Sequence, residues 1–301
     1  MDIVISGANG AVGTALIRHL SAGAPLGATR LRALVRSLAR AQSLHVLGAE
    51  IVVVDYRRPE TLRDAVVGAE VVVHLAGALV PRRGESLRQA NVDATRAVVE
   101  AAAAAGVKTC VYLSFPGADP TSKNQYLGSK GMAEAVIQQA GFAGAILRVP
   151  MILGPASPAL VQLRRMARAP LLPLVGGGAV RLQPIAEADV LAAIAWAIAV
   201  AARPLRVLNL VGPETLTYAE LVCRVNKRLG TRPRVLHIPK AAAWLSAYLA
   251  GALVPSLGWN PSVFDILFKE HLADLAEAHA ALPLTLTSVH AALDQALSTP
   301  S

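Results

Sequence analysis

Short runs of Val, Ile and Leu recur along the first half of the chain, separated by Ala-rich stretches of helical character. Seven such runs read as strands: Asp2–Ser6, Leu31–Val35, Ile51–Asp55, Val71–Leu75, Thr109–Ser114, Ala145–Val149 and Arg206–Val211. Several are almost uninterrupted aliphatics, the composition of strands buried on both faces rather than of strands with one wet side. Between them the pattern predicts helices, most clearly over Asn91–Ala105 and Gly131–Ala140, and later over Glu187–Ala202 and Thr217–Leu229. Alternation of strand and helix predicts an α/β fold, a doubly wound parallel sheet of the Rossmann kind. After Pro150 the alternation loosens, and Pro155, Pro158, Pro170, Pro173 and the triple glycine Gly176–Gly178 mark loops. The expected division is a nucleotide domain over 1–155, completed by about 180–212. A small C-terminal substrate-binding region accounts for 156–301.

The first turn carries the strongest local signal. Directly after the first strand comes SGANGAVG, with Gly7, Gly10 and Gly13 opening a helix. Glycines here allow a tight turn, close approach of backbone to a diphosphate, and close packing of helix on sheet, while the helix N-terminus offers free N–H donors and a positive dipole. Asn9, Ala11 and Val12 belong to the same loop. At the end of the second strand, where NAD-binding folds place an acidic residue for the ribose hydroxyl, this chain has Arg36, with Arg40 one turn on. A guanidinium suits a 2′-phosphate, so NADP(H) is favoured over NAD. Asp55 closes the third strand, where it either faces the adenine or caps the turn before Pro59.

Composition narrows the picture. With 301 residues, 54% of them hydrophobic, the chain can bury a sizeable core. The net charge of +9 is scattered in arginine pairs, and only 4% of residues are aromatic. With no block of five basic residues and no nucleic-acid-binding signature, nucleic acid is not an expected partner. The first strand starts at the N-terminus, so a signal peptide is not expected and the cytoplasm is the expected location. Two cysteines, Cys110 and Cys223, are too few for a disulfide framework and read as core thiols. Seven histidines show no metal-ligand spacing, so no metal is expected. The longest apolar runs, Val190–Ala202 and Ala241–Pro255, hold 13 and 15 residues. A membrane span needs roughly 20.

In QYLGSKGMAE, residues 125–134, Tyr126 and Lys130 stand four apart, on one face of a helix. Together with GANGAVG, HLAG at His74–Gly77, NVDAT at Asn91–Thr95 and RVPMILGP at Arg148–Pro155, this pair resembles the extended and atypical short-chain dehydrogenases/reductases, which are epimerase/dehydratase-like. The end of the second strand, LVR, the segment LSFPGADPTSKNQYLGSKGMAE and the later LVGPETLTYAELV resemble the subgroup that contains the nucleotide-binding accessory subunit of respiratory complex I. The resemblance covers nearly the whole chain, with the motifs in the family's order.

That resemblance implies a hydride-transfer site in which Tyr126 is the acid/base, Lys130 holds the ribose and lowers the phenol pKa, and Ser114 orients the substrate oxygen. It further implies cofactor contacts from Leu75, Ala76, Gly77 and Pro150. A phenol titrates near 10, so acid/base work near neutrality calls for a positive neighbour. Ser114 is followed by Phe115 rather than a second serine and stands 12 residues before Tyr126, which shortens the substrate loop. Asn91 reads as the N-cap of its helix, His74 as a hydrogen-bonded structural histidine, Arg148 as the partner of an internal carboxylate, and Ser6 as support for the glycine turn. No G-x-S-x-G elbow surrounds Ser6, so hydrolase chemistry is not expected. The alternative in the same subgroup is a non-catalytic accessory or assembly protein of a membrane-associated complex that holds its nucleotide permanently.

One segment remains. KAAAWLSAYLAGALVPSLGW, Lys240–Trp259, is apolar almost all round yet begins with lysine and carries Trp244, Tyr248 and Trp259. It fits either a lid over the substrate cleft or a surface that lies on a protein partner or a membrane interface, peripheral to its inner face. Either way the expected substrate is a small hydrophobic carbonyl compound, alcohol or enone.

Overall fold

The computed structural model describes residues 1–23, 26, 29–80, 84–200, 204–253 and 261–298, without the side chains at 40, 42, 43, 247, 249–253 and 261. Arg40's side chain, Arg82, Arg83 and the end of the Lys240–Trp259 segment, Trp259 included, lie outside the described residues.

All seven predicted runs enter one sheet, at Asp2–Ser6 (β1), Arg30–Val35 (β2), Glu50–Val53 (β3), Val71–His74 (β4), Thr109–Ser114 (β5), Ala143–Arg148 (β6) and Arg206–Asn209 (β7). Their spatial order is 3-2-1-4-5-6-7, and the pairings of β1 with β2 and β4, β2 with β3, β4 with β5 and β5 with β6 are parallel. The order reverses between β1 and β4, and an open α/β sheet binds its ligand at such a switch point, beyond the carboxyl ends of the strands. Ile3, Val4 and Ile5 are wholly buried, as are Val73 and Val111, which is what aliphatic strands covered on both faces require.

Two compact units divide the chain. The first comprises residues 1–81, 85–148 and 191–208, and the second 82–84, 149–190 and 209–301. Val4, Leu34, Val72, Tyr112 and Ile146 build part of the core of the first. In the second, Leu160, Leu163, Leu172, Leu221, Val225 and Leu293 pack together.

The second unit is more regular than its prolines predict. Pro158 does not break the chain; it opens a helix, Pro158–Arg168, capped by the Ser157 hydroxyl, because a first-turn residue needs no amide hydrogen. Leu171–Val175 pairs in parallel with Arg234–Ile238, a strand the pattern had not indicated. Thr217 and Glu220 form a reciprocal capping box at the start of the helix Tyr218–Leu229. On that helix Cys223 is exposed rather than a core thiol, whereas Cys110 is buried in β5 and its thiol is pushed up to about 12 by desolvation. No helix among the described residues is long and apolar enough to cross a membrane.

Candidate active site

The site starts at the end of β1. Gly7 has φ of 69°, and a Cβ there would lie 2.7 Å from the Ala76 nitrogen and 2.8 Å from the Leu75 carbonyl carbon, so only glycine lets the first turn press against the chain leaving β4. Gly13 is equally confined: a Cβ would meet the Gly7 oxygen at 2.5 Å and Ala8 Cα at 2.7 Å. Gly10 differs, because a Cβ there would meet, among the described residues, just the Gly7 oxygen at 3.2 Å, and both it and Asn9 are exposed. The helix Ala11–Ser21 begins there with no side-chain cap and no acidic residue in its first turn. Its leading N–H groups and dipole are thus available to an anion. The cradle fits a dinucleotide diphosphate: closely packed behind, open in front and rich in amide donors.

Side chains beyond β2 and β3 converge on the same mouth. Arg36, past the end of β2, pairs with Glu85 at 3.2 Å. Tyr56 hydrogen-bonds to the Ser6 side chain and the Gly7 backbone, and burial outweighs the nearby Arg36 charge to raise its phenol. Nothing in the hydrophobic pattern singled out Tyr56. Asp55 falls just outside β3 and caps the following turn, accepting the Arg57 N–H at 3.0 Å.

From the mouth the geometry runs on to the active-site helix. Gly77, in the chain leaving β4, lies so close to Lys130 that an added Cβ would stand 3.8 Å from the lysine Nζ. Lys130 is on the helix Gln125–Gln139, as its spacing from Tyr126 predicts; the helix opens ahead of the apolar run Gly131–Ala140 because Asn124 caps the Tyr126 and Leu127 amides. Its Nζ donates to the Leu113 carbonyl at 2.7 Å and sits 4.2 Å above the Tyr112 ring. Lys130 is 5% exposed, and desolvation, partly offset by Glu134, pushes its ammonium down to about 7. Tyr126 is half-buried, with the Phe115 ring edge-on at 5.6 Å.

Its phenol departs from the expectation of a lowered pKa: burial raises it, while Lys130 is engaged with Leu113 and Tyr112. Ser114 ends β5, and its buried hydroxyl has no hydrogen-bond partner among the described residues. Pro150 follows two residues after β6 and belongs to the second unit.

Asn91 is not an N-cap. The regular helix begins at Ala94, after a wide π-type turn over Arg88–Asp93 that holds Asn91 fully buried. Its amide donates to the Ala78 carbonyl at 3.0 Å and the Ser129 hydroxyl at 2.9 Å, and accepts the Ala78 N–H at 2.8 Å. It therefore fastens the chain leaving β4 to the residue preceding Lys130. An N-cap reading from sequence sees only the local helix start; these partners are 13 and 38 residues away.

His74 behaves as a structural histidine, with Nδ1 at 2.5 Å from the Ser6 hydroxyl and Nε2 at 2.9 Å from Thr95. Burial, reinforced by the Lys130 charge, holds it down to about 3, so it stays neutral. Arg148 pairs with Glu134 at 2.7 Å and donates to the Ala118 carbonyl at 3.0 Å, locking β6 to the active-site helix.

Parallel strands reversing at β1 and β4, with an amide-rich glycine mouth beyond the reversal, define a dinucleotide-binding Rossmann protein. The chain belongs to the NAD(P)H-binding family, whose model matches residues 7–169. It is 31% identical over 271 residues to a ceramide reductase of Caulobacter vibrioides, covering 88% of this chain and 81% of that protein. It is 23% identical to the NADH-ubiquinone oxidoreductase 40 kDa subunit of Neurospora crassa, over 72% of this chain but 56% of the subunit's length. The fold is shared with an Escherichia coli NADPH-dependent quinone oxidoreductase complexed with NADPH. That match has a TM-score of 0.73 at 23% identity and covers 98% of this chain and all of the other.

Proposed function

We propose that the protein is an NADPH-dependent reductase of a hydrophobic carbonyl compound, working in the direction of reduction. The observation that carries this reading is the placement of Tyr126 and the buried Lys130 one helical turn apart on Gln125–Gln139, with the lysine Nζ held at 2.7 Å by the carbonyl of Leu113, the residue before Ser114. When bound, the reduced nicotinamide supplies a hydride to the carbonyl carbon. Tyr126 donates its proton to the carbonyl oxygen; a phenol carries its proton at neutral pH, and a positive neighbour favours giving it up. Lys130, pinned by Leu113, holds the ribose side of the site and offsets the charge that develops as the phenol gives up its proton. Ser114, buried and short of a partner, donates a hydrogen bond to the same substrate oxygen. Arg36 exchanges Glu85 for the 2′-phosphate, which selects NADPH.

The substrate class is supported by the company the chain keeps. Besides the ceramide reductase, one relative is a ketoreductase of a farnesyl-bearing dihydroquinoline oxide, 28% identical over 174 residues. The test is turnover of NADPH with decylubiquinone and 2-tridecanone by the native protein and by Tyr126→Phe. A phenol acting as general acid contributes about 10²–10⁴ in rate, so the variant is expected to retain NADPH binding and lose at least about a hundredfold in kcat. Equal turnover by both would remove Tyr126 from the chemistry.

A second reading is a non-catalytic accessory protein with a permanently held nucleotide. It is favoured by the relationship to the 40 kDa subunit and by the Phe115 ring set against Tyr126. Native mass spectrometry separates the two: an accessory protein retains its nucleotide through exchange into excess NADP+, whereas a reductase releases it.

A further inference from the structure

We infer that one edge of the second unit docks on an anionic phospholipid surface. The strand Leu171–Val175 alternates cleanly, with Leu172 and Leu174 in the core and Leu171 turned outward at 53% exposure. Its partner Arg234–Ile238 is an edge strand on which Leu236, in register with Pro173, shares the outward face of Leu171 and is 49% exposed. Directly after it comes the helix Lys240–Leu253, where Trp244, Leu245 and Tyr248 are all exposed and the two rings stack at 5.6 Å. Lys240, Trp244 and Tyr248 are spaced four apart and so form one stripe of the helix. Lys240 packs its stem against Gly176, just past the end of Leu171–Val175, so the start of the stripe lies beside the ladder. Protein surfaces rarely leave so many large apolar side chains together without a function.

Charge decides what covers them. At the opposite end of the same two strands, Arg168, Arg232 and Arg234 line one groove together with Pro170 and Thr231, and no carboxylate lines it. None of these arginines has an ion-pair partner among the described residues, although the chain's other arginines pair repeatedly with Asp and Glu. Of the cations at this edge, Lys240 alone has a nearby carboxylate among the described residues, Glu270, which is already held by Arg181 at 2.8 Å. A protein interface excludes charge from its apolar centre, and nucleic acid offers nothing to exposed leucines. A bilayer interface matches both halves at once: leucines and aromatic rings enter the acyl boundary, while arginines reach back to lipid phosphates. The attachment is peripheral, and it stands independently of the reductase reading.

The test is cosedimentation of the full chain with vesicles of phosphatidylcholine alone and with vesicles carrying about one-third phosphatidylglycerol. Binding is expected to the anionic vesicles and to weaken with salt. Replacing Arg168, Arg232 and Arg234 together with Gln should lower that affinity about a hundredfold and flatten its salt dependence. Trp244→Ser with Tyr248→Ser should lower it at least about tenfold at any salt concentration. NADPH binding by the same samples, expected unchanged, reports that each variant is folded. Equal binding to both vesicle types, binding indifferent to both sets of substitutions, or retention on duplex DNA with no binding to vesicles would each overturn the inference.

Discussion

The glycine mouth of the first unit and the exposed edge of the second make opposite uses of their residues. At the mouth, function depends on what is missing: three side chains whose absence lets backbone approach backbone and leaves amides facing outward. At the edge, the proposed docking rests on what is present, large exposed apolar side chains and arginines without an ion-pair partner among the described residues. The first arrangement tolerates almost no added volume. The second tolerates substitution without loss of fold, because little of its surface was removed from water on folding. The cradle of the first unit thus rests on steric necessity, and the docking proposed for the second on exposed surface chemistry.

That contrast is sharpest under a single added methyl group. Gly13→Ala places a carbon against fixed backbone at 2.5 Å and 2.7 Å, so a loss of about 3 kcal/mol in chemical denaturation and of NADPH binding by titration is expected. Gly10→Ala meets only one atom at 3.2 Å. It should therefore keep most of its stability yet still weaken NADPH, since its methyl would project into the open front of the cradle. Equal stability losses at the two positions would show that the mouth is not divided into a packed back and an open front.

Next in size is the ion pair behind the active-site helix. Glu134 is 5% exposed at its side chain and carries two contacts from Arg148, so Glu134→Gln should cost about 2 kcal/mol, measured by urea unfolding. A smaller effect is expected from Lys130. Between its folded value of about 7 and the ordinary 10.5, the unfolded chain holds more protons at this position than the folded one. The lysine's contribution therefore improves as pH rises through that interval and stops changing below it. Raising pH from about 7 to about 8.5 should stabilise the native protein relative to Lys130→Met by about 1.5 kcal/mol, a comparison that denaturant midpoints at the two pH values will make. No pH dependence in that difference would mean the ammonium is better solvated than its burial indicates.

Smallest of all is Leu236→Ser on the exposed strand, expected to change stability by no more than about 0.5 kcal/mol in thermal unfolding. A large loss there would make the edge part of the core and remove the contrast between the two regions.

Much of the first unit was legible because its signals are local and repeated. A strand buried on both faces must be aliphatic, a diphosphate turn must be glycine, and a helix brings residues four apart onto one face; each rule is written in adjacent positions of the chain. His74 and Arg148 were legible for a related reason, since a polar side chain in an apolar run must find a partner wherever it is buried. Asn91 escaped because its partners are 13 and 38 residues away and its helix begins with a π-type turn. Tyr56 escaped because no periodicity distinguishes a tyrosine that reaches a glycine loop from one that packs. In the second unit the prolines concealed a helix and a strand, because Pro158 sits where a helix needs no N–H.

By itself, then, the order of residues determined the doubly wound sheet, the diphosphate mouth and the shared face of Tyr126 and Lys130, all consequences of backbone geometry acting over a few residues. Only the tertiary structure decided in which direction each member of that pair is shifted from its ordinary pKa, because burial is set by distant segments. There the phenol is raised by desolvation and the ammonium turns to the Leu113 carbonyl. The folded chain likewise decided which apolar residues of the second half remain in water, since a leucine's sequence neighbours do not reveal whether another strand will cover it.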